Sequence, residues 1–361
     1  MTFFLSLLYS LWCTDRLNSF YQHSNAPKNF LSFFVLFTPL WGVWLIICGG
    51  QYGVGTDYFT YYQIFEDIDV DFYYVKGEWL FSVIVEVFRG IRVPPQGLFF
   101  IFYFINFFFL LKILYKIKSQ PSFIFILLYI CLSNVFNNQL NGLRQYCAVY
   151  IVTYAMLNFY DNKSYIKYLL LILMAGGTHF SAYMMLPFVL ILRFERLSKG
   201  ICFILLMIGL VFSIIGSSSF VLNTFSNFIP KQYSDAYIGG EFDTAVGFER
   251  TITKLIFVPL YILSIFSSRA NWTKEDLFFF SIGIIAYSVR LFFMENLILN
   301  RLGYYFLILS ILPLYVYMKS LYKSRRRMFS YLLMSVFLAF YFLKTVLLAK
   351  GEYLYQSIYF K

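Results

Sequence analysis

Apolar runs close to the length of a bilayer crossing recur along almost the whole chain, separated by short polar stretches. They predict spanning helices at 1–17, 29–48, 97–115, 122–138, 142–160, 166–178, 180–193, 200–222, 252–268, 277–294, 302–318 and 328–348. At 1.5 Å of rise per residue, about 20 residues cross the ~30 Å hydrocarbon core. The alternating, roughly ten-residue pattern of a membrane barrel is not seen. Asp15 and Arg16 cut the first run short. In the short pair 166–178 and 180–193, Gly176-Gly177 reads as a break between two half-length helices, or a turn between two tilted ones. The expected fold is all-α: a polytopic helical membrane protein with roughly 11–12 transmembrane helices. Residues 1–361 form a single membrane domain on this reading.

The polar breaks alternate in charge. Lys112, Lys116 and Lys118, then Lys163 and Lys167, then Arg193, Arg196 and Lys199, then Arg269 and Lys274, then Lys319, Lys323 and Arg325–Arg327 fall on one side. A surplus of cations marks the cytoplasmic side. The two longer loops, at about 50–96 and 223–251, fall on the other. Residues 79–93 threaten that parity: they are apolar but carry Glu86, Arg89 and Arg92. The expectation is an outer-face amphipathic or re-entrant helix, ended by Pro94-Pro95.

Composition strengthens the membrane reading. The chain is 60% hydrophobic and 13% charged, against about 25% charged in soluble domains. The net charge of +11 belongs to the inner loops and does not point to nucleic acid. The 5 cysteines show no ligand spacing, and the 2 histidines exclude a His-rich metal site. No cofactor or metal is expected, and residues 1–12 lack the basic start and cleavage site of a signal peptide. The 46 Phe and 32 Tyr are explained by lipid-facing packing and interfacial belts. Stacking on sugars is the alternative for tyrosines near the outer loops.

Four polar clusters fall on the outer side: 53–58, 141–145, 178–181 and 300–305. Ionisable groups in or near lipid are expensive, which makes each a candidate functional element. Asn141 stands where a side chain can cap a helix. Arg144, with Gln145 beside it, adds a fixed charge to that helix start, which suits a diphosphate or carboxylate. A snorkelling interfacial arginine is the alternative. Arg301 opens another span and is followed by Tyr304 and Tyr305; a structural Glu295–Arg301 pair is its bland reading. Arg290 lies inside its span, where a cation must be paired or face water. His179 suits a general base near neutral pH, or a structural hydrogen-bonding group. Asp57 is either a presented carboxylate or a solvated loop aspartate. Glu78 opens the amphipathic helix, a routine place for an acid.

In this order the clusters resemble the EpsG/Wzy group of bacterial surface-polysaccharide (O-antigen) polymerases. The matching elements are Gly55-Thr56-Asp57 with Tyr61, then Glu78, Gly142 to Gln145, His179 with Ser181 and Ala182, and Arg301-Leu302 with Tyr304 and Tyr305. The similarity runs from about residue 30 to 320. Gln51 stands near where the group often has an arginine.

The resemblance implies a GT-C-like glycosyltransferase in the bacterial inner membrane, with its active site toward the periplasm. A growing glycan would pass from undecaprenyl diphosphate to the next lipid-linked repeat unit. Expected partners are those lipid-linked oligosaccharides, membrane lipid, a flippase and a chain-length regulator, with no nucleic acid. His179, Arg144 and Asp57 would be catalytic. Arg301, Arg290, Gln145, Asn141, Glu78, Tyr58, Tyr61, Tyr304 and Tyr305 would bind substrate. A lipid-linked oligosaccharide flippase, an O-antigen ligase and a membrane O-acetyltransferase are the rival readings. The absence of visible repeat symmetry speaks against the flippase. The modest 223–251 loop speaks against the ligase, and the outer position of His179 against the acetyltransferase.

Overall fold

The structure, a computed structural model, describes residues 1–24, 27–66, 70–117, 121–215, 255–294 and 297–359. The 223–251 loop, Asp67, Asp69, Lys118, Glu295 and Asn296 lie outside the described residues. The fold is all-α. Among the described residues the one departure from helix and loop is an isolated antiparallel bridge between Gln51 and Ser357. Three described helices are long and apolar enough to cross a membrane: Gln96–Lys116, Asn300–Tyr322 and Arg327–Leu347. The bent pair Phe30–Leu36 and Thr38–Gly49 brings the number to 4 if it is one span. Ser122–Cys131, Tyr165–Thr178, Phe180–Arg193 and Lys199–Ile215 are shorter apolar helices.

The chain divides into two compact units, Met1–Leu192 with Leu321–Lys361, and Arg193–Ser320. In the first, α1 (Thr2–His23) runs straight through Asp15 and Arg16. Charge does not cut it short, because both side chains are exposed while Cys13, Thr14 and Asn18 point into the bundle. The second run splits into α2 (Phe30–Leu36) and α3 (Thr38–Gly49), bent by 62°. Pro39 sits in the first turn of α3, where its missing N–H is tolerated but a continuous helix is not.

The 50–96 loop folds into α4 (Tyr58–Glu66), α5 (Asp71–Val75) and α6 (Trp79–Gly90). With 12 residues, α6 reaches only about 18 Å and is too short to span. It ends before Pro94-Pro95, where Arg92 takes φ 55°.

The core of this unit is α7 (Gln96–Lys116) packed on α10 (Leu143–Asn162), with α10 packed on α11 (Tyr165–Thr178), and the buried α8 (Ser122–Cys131), which packs on α1 and the helix Arg327–Phe342. Asn134, at φ 61°, breaks the run after α8, and the short α9 (Val135–Asn138) follows. A buried amide layer ties these helices together. Gln139 Oε1 accepts from Asn106 Nδ2 at 3.2 Å and from Tyr150 Oη at 3.1 Å. Tyr103 Oη donates to the Gln139 carbonyl at 3.2 Å and accepts from Gln51 Nε2 at 2.9 Å. These buried hydrogen bonds favour one register of otherwise slippery apolar helices, although Gln51 Oε1 and Asn106 Oδ1 find no partner among the described residues.

Each end of this unit has its own chemistry. At one end Lys116 pairs with Asp161, Tyr115 donates to the Lys28 carbonyl at 2.8 Å, and Arg327 lies over the Tyr322 ring. The opposite ends of α7 and α10 carry Gln96 and Arg144. There the C-terminal tail pairs with the stretch before α4: Tyr52 N–H donates to Gln356 O at 3.0 Å, and Ile358 N–H to Gly50 O at 2.9 Å.

The second unit packs the helix Lys199–Ile215 against Lys274–Phe292 and Val258–Phe266. Thr273 and Asp276 form a reciprocal capping box at the start of Lys274–Phe292. The buried Asp276 also pairs with Lys319.

Candidate functional site

The site is built from a turn. The helix α5 ends in a Schellman motif: Glu78 N–H reaches back to Tyr73 O at 2.8 Å, and Gly77 N–H to Tyr74 O at 2.9 Å. Gly77 takes φ +85°, a conformation that costs a residue with a Cβ about 1–2 kcal/mol. The turn projects Lys76 and Glu78 together and starts α6. The beginning of α6 then lies on the end of α11, because Gly177 leaves room: a Cβ there would come within 2.6 Å of the Trp79 ring and 3.0 Å of Leu80 Cβ. Gly176-Gly177 is therefore no break. Both glycines are inside α11, and the chain leaves the helix at His179, with φ −154° and ψ 116°.

Glu78 is fully buried, and a buried carboxylate persists only where its charge is answered. Its Oε1 accepts from His179 Nδ1 at 3.0 Å and from the Phe180 N–H at 3.3 Å, with Lys76 Nζ at 3.7 Å. Its Oε2 accepts from Arg144 Nη1. Burial by itself would push the Glu78 carboxyl up. The His179 hydrogen bond and the charges of Arg144 and Lys76 outweigh it and hold the group at about 2. Burial pushes the His179 imidazole below its ordinary 6.5, and the hydrogen bond to Glu78 restores only part of that. At neutral pH the pair is an ionised carboxylate and a neutral imidazole. An ionised carboxylate only accepts, so the imidazole proton sits on Nδ1 and Nε2 keeps a lone pair.

Arg144 occupies the first turn of α10. Its guanidinium lies 4.6 Å from the Tyr73 ring centre, 4.9 Å from Phe81 and 5.7 Å from Tyr61. Such contacts hold a cation in place without neutralising it. Arg144 Nε is buried and has no hydrogen-bond partner among the described residues.

Asn141 does not cap α10. The N-cap is Gly142, without a side-chain cap bond. Asn141 Oδ1 instead accepts from Asp57 N–H at 3.0 Å and Thr56 Oγ1 at 3.2 Å, pinning the 55–57 loop to the start of α10. Gly55 packs so tightly on Asn141 that a Cβ would overlap it. Tyr61, one turn after Asp57, feels the charges of both Asp57 and Arg144.

The structure thus brings together Asp57, Tyr61, Glu78, Asn141, Arg144 and His179. Gln145 is half-buried beside Arg144. Tyr58 is buried, stacks on Phe99 with ring centres 4.9 Å apart, and donates to Gln96 Oε1 at 2.9 Å. Its ring face is thereby occupied. Gln51 is buried and turned toward Tyr103. Arg290 and Arg301 belong to the second unit. There Arg290 Nη1 donates to Ser310 Oγ at 2.6 Å and packs beside Gly303, while Arg301 is exposed. Tyr304 is half-buried and Tyr305 fully buried.

Lys76, the ring pair Tyr73 and Phe81, and the Phe180 amide escaped the sequence reading. The one available signal was the helix-Gly-Glu pattern around Gly77, which brackets Lys76 with Glu78.

No curated protein and no solved structure matches this chain. The model of the EpsG family matches residues 30–357. That span contains α2 to α11, the whole Glu78 cluster, the second unit and the tail as far as Gln356, which pairs with Tyr52, and on it the chain belongs to the EpsG family.

Proposed function

We propose that this EpsG-family membrane protein is a polysaccharide polymerase acting at the periplasmic face of the bacterial inner membrane. It moves a growing glycan from undecaprenyl diphosphate onto the next lipid-linked repeat unit. The observation that supports this best is the buried Glu78 carboxylate holding His179 and Arg144 side by side.

Glycosyl transfer needs two things that such a cluster supplies. The acceptor hydroxyl must lose a proton as its oxygen attacks the anomeric carbon, and His179 Nε2 takes it while Glu78 fixes the tautomer through Nδ1. The bond from that carbon to the diphosphate breaks with its electron pair leaving on the phosphate. Arg144 stabilises the departing charge in a site poor in water, where a fixed cation acts most strongly. Asp57, pinned by Asn141, is the second candidate to orient the acceptor hydroxyl. Arg290, Arg301 and Tyr304 remain the anion- and sugar-binding candidates of the second unit.

The test is the surface-glycan ladder of the native host after deletion of the gene, with the native or the Arg144→Ala copy restored. Removing one such stabilising donor costs about 10²–10³ in rate. The expected result is single repeat units on the acceptor for the deletion and for Arg144→Ala, with lipid-linked units still reaching the outer face. Long chains made by Arg144→Ala would sink the role given to this residue. Units trapped on the cytoplasmic face would indicate a flippase, and full-length chains left on the carrier a ligase.

A further inference from the structure

In the second unit, a tight turn joins the helices Val258–Phe266 and Lys274–Phe292 at the end that carries Lys199, Arg269 and Lys274. Trp272 N–H donates to Arg269 O at 3.1 Å, so the turn presents Arg269 and Trp272 together. The Arg269 guanidinium lies 5.5 Å from the Trp272 ring centre and 4.8 Å from that of Phe280. Its Nη1 donates to Leu197 O at 2.8 Å, and its Nη2 reaches Cys202 Sγ at 3.8 Å. Lys199 Nζ closes the same end, donating to Ser267 O at 2.7 Å and to Phe266 O at 3.2 Å. We propose that this turn binds the phosphate of an anionic phospholipid headgroup, in the leaflet that the basic loops face. The inference stands apart from the glycosyl-transfer reading given above.

Three observations carry it. Arg269 Nε and Trp272 Nε1 are both buried, and neither has a hydrogen-bond partner among the described residues. Buried donors are nearly always paired, and two side by side suit one ligand with several acceptor oxygens. A snorkelling arginine or a belt tryptophan turns its N–H toward water, and these two do not. The polar contacts of Arg269 and Lys199 are backbone carbonyls and a cysteine sulfur, none of them a carboxylate. Two cations held at one turn by uncharged groups favour an anion over a water molecule, since a charge-assisted bond is about twice as strong as a neutral one. The helix Lys199–Ile215 then leaves this end with Ile201, Ile204, Ile208 and Val211 exposed, at alternating three- and four-residue spacing. That stripe belongs against hydrocarbon, so an anion held at its end comes with acyl chains attached. Basic clusters beside membrane helices recognise anionic headgroups in this way.

The experiment melts the full chain, purified in a neutral detergent, while phosphatidylglycerol, phosphatidylcholine or inorganic phosphate is titrated in. A ligand that binds only the folded state raises the melting temperature. Phosphatidylglycerol should raise that of the native protein to a plateau, and the other two should do so far less. Trp272→Phe keeps the ring and removes only the N–H; Arg269→Lys keeps the charge and removes the Nε–H. Each should raise the half-saturating phosphatidylglycerol concentration about tenfold, the scale of one charge-assisted contact. The melting temperature of Trp272→Phe without added lipid should stay near native, which separates a lost contact from a damaged fold. Native-like saturation by phosphatidylglycerol in both variants would overturn the site. Equal protection by inorganic phosphate would overturn the lipid and leave a soluble anion, and equal protection by phosphatidylcholine would overturn the need for a negative headgroup. Each of these outcomes leaves the polymerase reading untouched.

Discussion

A carboxylate withdrawn from water costs several kcal/mol unless its charge is met, and Glu78 is met by Arg144, His179, Lys76 and the Phe180 amide. Its protonation therefore carries a pH signature. Glu78 sits at about 2 in the folded protein against an ordinary 4.5. The stability it contributes is fully present above pH 4.5 and is lost as the pH falls toward 2. His179 is displaced the same way, below its ordinary 6.5. It is neutral at pH 7, and acid first charges it in a site that resists the charge. Polymerisation should thus rise with pH through a midpoint below 6.5, the folded imidazole's own. Glu78→Gln keeps an acceptor for Nδ1 but removes the negative charge that holds the imidazole up, so this midpoint should move lower still as the rate falls. A pH profile of kcat/KM for both forms checks this, and a midpoint that moves up would contradict it. The sequence exposed Arg144, a cation standing against the charge bias. It left Glu78 looking like a routine helix start, because its partners lie 66 and 101 positions away and no local pattern connects them.

At the scale of elements, placement of the site depends on one turn and one contact between helices. Gly77, at φ +85°, closes α5 and aims Glu78, and its missing Cβ leaves 3.2 Å to the Phe180 ring. Gly77→Ala should cost about 1–2 kcal/mol from the left-handed backbone alone. It should also displace Glu78 from His179, so activity falls further than the melting temperature suggests. Gly77→Asn, which tolerates this backbone better, should recover part of the stability. Equal melting temperatures for the native and Ala forms would show that the turn is not held this way. Helices were legible in the apolar runs, and so was the stop at Pro94-Pro95. The bend at Pro39 and the passage of α1 through Asp15 and Arg16 were not. Whether a proline ends a run or a charge interrupts it depends on which side the neighbouring helices cover, and hydropathy alone does not carry that. Gly176-Gly177 misled for a similar reason: a glycine pair signals a break in sequence, whereas here the space it leaves is filled by Tyr183 and Trp79.

On the scale of the molecule, the first unit separates its charges along its helices. The Lys116–Asp161 pair and the Arg325–Arg327 run mark one end, and the Glu78 cluster, the 55–57 loop and the C-terminal tail mark the other. This division follows the alternation of basic loops in the sequence. The sequence did not show two compact units, because the apolar runs read alike on either side of Leu192 and Leu321. Nor did it show the pairing of the tail with Gly50–Tyr52, which joins positions some 300 residues apart, as the Tyr355–Ile47 bond measures (308). The separation fixes what labelling must show. All 5 native cysteines are buried, so a single added thiol reports its own side of the membrane. Thr56 and Gln356 are exposed at the site end, and Ser324 is exposed at the basic end. A membrane-impermeant maleimide applied to intact spheroplasts should label Thr56→Cys and Gln356→Cys, and reach Ser324→Cys only after lysis. The reverse pattern would put Glu78, His179 and Arg144 in the cytoplasm and remove the periplasmic polymerase reading, whatever the activity of the variants. Labelling of Thr56→Cys without Gln356→Cys would separate the tail from the site end and contradict the bridge between Gln51 and Ser357. Positive-inside charge sets the orientation of the whole chain, and one thiol at each end is enough to read it.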